Sequence, residues 1–150
     1  MALKIPPLVL VLVSALLMWG LSQLGPVLHL AVPGAAVLAA VLAGGGVIVG
    51  ALGVVSFRRA RTTVNPLTLG SASTLVVSGI YRYSRNPMYL GFALMLLAWG
   101  VFLSNLLALL VVPAFIMYMT RYQIEPEEEA LEALFGQEYL AYKRAVRRWL

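Results

Sequence analysis

The stretch Gly79-Ile-Tyr-Arg-Tyr-Ser-Arg-Asn-Pro-Met-Tyr-Leu-Gly91 sets two arginines, three tyrosines and an Asn-Pro break between long apolar runs. Charged groups at the edge of hydrocarbon are unfavourable unless paired or solvated, so the stretch reads as a site at a membrane boundary. Before it, no Lys, Arg, Asp or Glu occurs between residues 5 and 57, and none occurs between residues 86 and 120. At roughly 20 apolar residues per crossing, each run has room for two helices. A second polar cluster at residues 121–129 supplies the acidic groups that the first one lacks.

Composition agrees with a membrane protein. The 150 residues are 61% hydrophobic and 11% charged, with a mean hydropathy of +0.90, whereas a soluble domain carries about 25% charged residues. The chain reads as one membrane domain over 1–150. The absence of cysteine excludes disulfides, thiolate metal sites and a cysteine nucleophile. The single histidine, His29, leaves no histidine cluster for a metal or haem. The net charge of +5 would suggest nucleic acid in a soluble protein. Here the arginines flank apolar spans, so the positive-inside bias accounts for them and acidic lipid headgroups are the expected partners, with no nucleic acid. Lys4 gives a short positive start, but the apolar run to Leu28 is too long for a signal-peptide core and reads as a retained span.

The expected architecture is all-α: four transmembrane helices at about 7–28, 35–57, 87–103 and 105–122, the last two a short hairpin. A cytosolic loop at 58–86 and a C-terminal amphipathic helix at 126–150 complete it. Pro87 is suited to a helix start, Ser104-Asn105 to a tight turn, and Pro113 to a bend. The small residues Ala36, Ala40 and Gly44, with Gly46-x-x-x-Gly50, form a seam that lets helix backbones approach closely. Leu131, Phe135, Tyr139, Tyr142, Val146 and Trp149 recur at spacings of three and four, which is one apolar helix face. Lys143 to Arg148 read as a solvated or headgroup-facing end, and Arg58, Arg59 and Arg61 as topology anchors. Charge places both termini and both polar clusters on the cytoplasmic side, where the clusters can meet.

The first cluster offers guanidinium groups, phenol hydroxyls and backbone freed by Pro87. The second offers Arg121, Gln123, Glu125, Glu127, Glu128 and Glu129. A ligand with a cationic centre, an amino-acid head and an aromatic base would find partners among them. The bland alternative for Glu127 and Glu128 is a pair of acids stabilised by a helix N-terminus.

These residues resemble a known family. Residues 79–91 look like the G-x-Y-x-x-x-R-H/N-P-x-Y-x-G signature of the isoprenylcysteine carboxyl methyltransferases and their phospholipid methyltransferase relatives. Glu127-Glu128-x-x-Leu131-x-x-x-Phe135-Gly136-x-Glu138-Tyr139-x-x-Tyr142 looks like the same family's C-terminal signature, and Ser73-Thr74-Leu75-Val76-x-x-Gly79 also fits. The resemblance implies an integral membrane methyltransferase using S-adenosylmethionine without a soluble Rossmann domain. By the resemblance, Ser73, Thr74, Leu75, Val76, Tyr81, Asn86, Pro87, Met88 and Tyr89 would line the cofactor, and Glu127 would hold its amino-acid end. Arg85 would fix the local fold or pair with Glu127 or Glu128. Arg121 and Gln123 are the candidates for substrate contact, and Arg121 and Glu128 for catalysis.

Two positions depart from the carboxyl-methylating members. Asn86 stands where they commonly carry histidine, and Gln123 where they tend to carry arginine. The implied acceptor is therefore a lipophilic or membrane-borne molecule of wider class: a prenylcysteine-like acid, a phospholipid amine or a hydrophobic thiol. Two rival readings are an NADPH-dependent reductase of the sterol-reductase type, which shares an arginine-proline-tyrosine segment and hairpin, and a non-catalytic membrane subunit.

Overall fold

A computed structural model describes residues 5–24, 29–30, 32–60 and 74–150. Within these residues six α-helices follow in order: α1 Pro7–Ser22, α2 Ala35–Arg59, α3 Pro87–Leu103, α4 Leu106–Met119, α5 Glu125–Phe135 and α6 Gln137–Ala145. A short 3₁₀ turn, Gly79–Arg82, precedes α3, and a π turn, Thr120–Ile124, joins α4 to α5. Among the described residues no strand forms, apart from a single isolated bridge between His29 and Asn105.

Local chemistry sets the helix ends. Pro7 and Pro87 occupy the first turns of α1 and α3, where the missing N–H leaves no helical bond unmade. α3 stops at Ser104, whose φ of 49° is left-handed. Asn105 then caps α4, its side-chain oxygen accepting from the N–H groups of Leu107 at 3.0 Å and Ala108 at 3.2 Å. Arg58 and Arg59 end α2, complementing its dipole.

The helices expose large apolar residues and bury small ones. On α2, Val37, Val41, Val47 and Ile48 are exposed, while the buried positions are Ala39, Gly46, Gly53 and Ser56. α1 likewise exposes Leu8, Leu12, Leu16 and Trp19. An apolar surface of this extent suits lipid rather than water. Among the described residues, two helices are long and apolar enough to cross a bilayer: the 25 residues of α2, and the continuous 30-residue helix Leu106–Phe135 formed by α4, the π turn and α5. α1, with 16 residues, and α3, with 17, are apolar but shorter.

α3 is the centre of the bundle, with α2 on one side and α1 and α4 on the other. The α2–α3 contact is backbone to backbone. A Cβ on Gly91 would lie 2.6 Å from the Gly46 carbonyl oxygen, and one on Gly46 would lie 2.8 Å from that of Gly91. The small-residue seam in the second apolar run thus packs inside the molecule, against α3. On the other side, Met18, Leu96, Ala108, Phe115 and Met119 form the core with Tyr89 and Ile124. Trp99 ties α3 to α1 through a bond from its indole N–H to the Ala15 carbonyl at 3.1 Å.

Two expected boundaries differ. The separate tail helix at 126–150 is instead two helices and a non-helical end. α5 grows from α4 without a break, and Gly136, at φ 50° and ψ −121°, separates it from α6. Val146 then turns to extended backbone. Residues 25–28, the end of the first expected span, lie outside the described residues, as do Lys4, Arg61 and Ser73.

Candidate functional site

α3 begins, and the α4–α5 helix turns polar, at the same end of the bundle. This brings the two polar clusters together. Tyr89, in the first turn of α3, donates its hydroxyl to Glu127 Oε1 at 2.8 Å. Gln123 donates its amide to the same oxygen and lies 3.5 Å from the Tyr89 hydroxyl. All three side chains belong to buried residues. The π turn is part of the reason. Its wider winding carries Gln123 and Ile124 inward as a buried pair, with Glu127 four residues on from Gln123.

Glu128 faces elsewhere, because successive helical residues diverge by about 100°. Its Oε1 accepts from Arg85 Nη2 at 2.7 Å and from Arg148 Nε at 3.0 Å, and its Oε2 accepts from Arg148 Nη2 at 2.9 Å. Arg148 therefore grips the carboxylate with a bidentate fork. Arg85 also donates through Nη1 to the carbonyls of Lys143 at 2.9 Å and Val146 at 2.7 Å, capping the end of α6. Its ε N–H is buried without a partner among the described residues.

Electrostatics separates the groups further. Burial alone would raise the Glu128 pKa, but hydrogen bonds from Arg148 and Arg85 outweigh it and hold the carboxyl below its ordinary value. Glu128 is thus an ionised structural anion. Burial, reinforced by Tyr142 and Glu127, pushes the Tyr81 hydroxyl up, and burial does the same for Tyr139 and Tyr142. These three phenols are neutral at physiological pH.

The residues singled out from sequence divide as follows. Tyr89, Gln123 and Glu127 form one cluster, with Tyr81 nearby: its ring packs edge-on to Phe57 and its carbonyl accepts from Tyr142 Oη at 2.7 Å. Asn86 joins the Arg85–Glu128 side, donating its amide to the Arg148 carbonyl at 3.0 Å. Pro87 is buried at the start of α3, while the Met88 side chain turns toward Gly53 of α2. Thr74, Leu75 and Val76 run irregularly ahead of the 3₁₀ turn, with Val76 buried. Arg121 stays out of both clusters: its side chain is 74% exposed and pairs with Glu125 one helical turn away.

Sequence reasoning missed Arg148 and Thr120, and it placed Trp149 on an apolar face without its hydrogen bond. Arg148, expected among the solvated basic residues, instead turns toward Glu128: the buried carboxylate needs cationic partners, and the Arg148 guanidinium reaches it while staying partly exposed. Trp149 and Thr120 are joined by a 3.1 Å bond from the indole N–H to the hydroxyl. The Glu128–Arg148 spacing of twenty residues is not a helical repeat, so periodicity gives no sign of it. Of the other expected headgroup cations among the described residues, Arg58, Arg59, Arg144 and Arg147 are exposed at this same end, while Lys143 is partly buried and lies 3.4 Å from Glu132.

Beside the site, an apolar groove of about 230 Å³ lies between α2 and α3, lined by Gly46, Gly50, Ala51, Met88 and Phe92 among others. Phe92 links the two, its ring 6.5 Å from that of Tyr89.

Residues 35–138 match the family model for phospholipid methyltransferases. An uncharacterized protein of Haemophilus influenzae is 52% identical over 63 residues, which is 42% of this chain and that protein's whole length. The protein-S-isoprenylcysteine O-methyltransferase of Mus musculus is 37% identical over 73 residues, 49% of this chain and 26% of the relative. That of Saccharomyces cerevisiae is 35% identical over 79 residues, 51% of this chain and 32% of the relative. The chain thus spans about a quarter to a third of the length of these two methyltransferases.

Proposed function

We infer that this chain, which belongs to the phospholipid methyltransferase family, is a membrane enzyme that moves a methyl group from S-adenosylmethionine to a lipophilic acceptor. The observation that carries the reading is the buried Glu127 carboxylate, held by Tyr89 and Gln123 where both polar clusters meet. α1 to α4 cross the bilayer, the shorter α1 and α3 by local thinning, and the arginine-rich end faces the cytoplasm.

The residues present fit the cofactor. A buried carboxylate held in place by Tyr89 and Gln123 suits the amine of the cofactor's amino-acid end, and the Arg85 ε N–H, without a partner among the described residues, offers a buried donor to an acceptor atom. Thr74, Leu75, Val76, Tyr81, Asn86, Pro87, Met88 and Tyr89 provide the remaining lining, with Ser73 in the segment just ahead. When bound, S-adenosylmethionine supplies a methyl group on an already activated sulfonium, so alignment with the acceptor is the main requirement. Tyr89 and Gln123 fix the Glu127 carboxylate so that it orients the bound amino-acid end. Glu128, neutralised by Arg85 and Arg148, holds the wall in place. The α2–α3 groove and the exposed apolar belt support an acceptor that reaches the site from the lipid, either an acid, an amine or a thiol on a hydrophobic carrier.

Titration of the purified protein in detergent with S-adenosylmethionine and with NADPH tests the reading. Saturable binding of S-adenosylmethionine alone is expected. NADPH binding alone would favour a reductase, and binding of neither would leave a non-catalytic membrane subunit.

A further inference from the structure

Residues 146–149, beyond the end of α6, are held from both sides. Facing the start of α3, the Arg147 carbonyl accepts from the Arg85 backbone N–H at 3.0 Å, and the Arg148 carbonyl accepts from the Asn86 amide at 3.0 Å. Facing the α4–α5 helix, Arg148 grips Glu128 and also lies 3.6 Å from Glu125. Trp149 packs against the core that contains Met119 and Ile124, and its indole N–H reaches Thr120. The segment is therefore a strap between the two walls that carry the polar clusters.

Its attachment points matter. Thr120 is the first residue of the π turn, and its hydroxyl, besides accepting from Trp149, donates to the Ile116 carbonyl at 2.7 Å. Glu128 follows the turn by four residues and is pulled toward the strap. One strap thus grips this helix at the start of the π turn and again one turn beyond its end, and between those grips lie Gln123 and Glu127. A π turn is rare and is generally retained where a site depends on it. Winding the same residues as a regular α-helix would rotate Gln123 and Glu127 relative to Tyr89.

We propose that residues 146–149 are a positioning strap, in which Trp149 and Arg148 hold the π turn so that Gln123 and Glu127 face the ligand. The proposal rests on the reading of Glu127 as a ligand-binding group. Neither Trp149 nor Arg148 touches the ligand. They act through the register of the helix that carries Glu127, and Asn86 acts as an anchor for the strap's backbone.

Two substitutions test this in the full chain. Trp149→Phe keeps an aromatic ring against the core but removes the indole N–H together with the second ring. Arg148→Lys keeps the charge and removes the bidentate fork. For each, the affinity for S-adenosylmethionine and the thermal unfolding midpoint are measured in the same detergent. About fivefold weaker binding is expected for each variant, the scale of one hydrogen bond, with the midpoint essentially unmoved. Unchanged affinity in both overturns the strap's role, and so does a loss of affinity that only tracks a lowered midpoint. If the unaltered protein does not bind S-adenosylmethionine, the proposed function falls and the strap's role falls with it. Binding by the unaltered protein that both variants retain overturns the strap alone.

Discussion

Replacing Gly91 with alanine tests the α2–α3 contact that places the start of α3. The added Cβ would sit 2.6 Å from the Gly46 carbonyl oxygen, 3.1 Å from the Gly50 nitrogen and 3.2 Å from the Gly50 Cα. All three are backbone atoms, so no side chain can swing away. An ordinary carbon–oxygen contact is about 3.3 Å or more, so the helices must separate by roughly 0.7 Å. A gap of that size forfeits about a quarter to a half of the dispersion energy of each atom pair it opens, and overpacking of this kind costs about 1–3 kcal/mol. The control is Gly44→Ala, on the same helix as Gly46, where a Cβ meets nothing within 4 Å. Both variants gain the same helix propensity, up to about 1 kcal/mol, so their difference isolates the packing penalty. Reversible unfolding in detergent, followed by circular dichroism, should find Gly91→Ala less stable than Gly44→Ala by that 1–3 kcal/mol. Equal stability in the two variants would refute the backbone contact.

Glu128→Ala should destabilise the protein by about 3 kcal/mol, since it strands the buried Arg85; denaturant unfolding in detergent measures this. Asn105→Ala removes the α4 cap and should cost about 1 kcal/mol in the same assay, without altering ligand affinity. The depressed Glu128 pKa means that the folded state binds this proton less readily than the unfolded chain does. Its contribution is therefore complete above the ordinary carboxylate value of 4.5 and is lost as pH falls through the depressed value. Unfolding midpoints should accordingly show the parent's advantage over Glu128→Gln shrinking only on that acid side. Incubation with radiolabelled methyl donor and a membrane lipid extract should put label into the organic phase, and Tyr89→Phe, which removes a donor to Glu127, should reduce it by about tenfold.

Much of this arrangement is legible in the residues, and the reasons are local. Pro87 starts α3, Asn105 caps α4, and Gly46-x-x-x-Gly50 marks a close helix contact. Each of these depends on backbone chemistry that a residue type announces. The neighbouring acids Glu127 and Glu128 were identifiable as a pair, but their division of labour was not. Helical geometry sends them to different walls, and only tertiary contacts with Tyr89 and Arg148 show which wall is which. The π turn has no composition signal in Thr120-Arg-Tyr-Gln-Ile124, because packing from outside the helix holds it. Gly136 did carry a signal, since left-handed backbone favours glycine. The regular spacing from Leu131 to Tyr142 ran through it and suggested one helix where there are two.

The central claim is that Glu127 holds the amino-acid end of a bound methyl donor. Isothermal titration of S-adenosylmethionine into the parent protein and into Glu127→Gln tests it most directly. Saturable binding by the parent, lost in a Glu127→Gln variant with an unaltered unfolding midpoint, is the predicted result. Equal affinity in both proteins would contradict it.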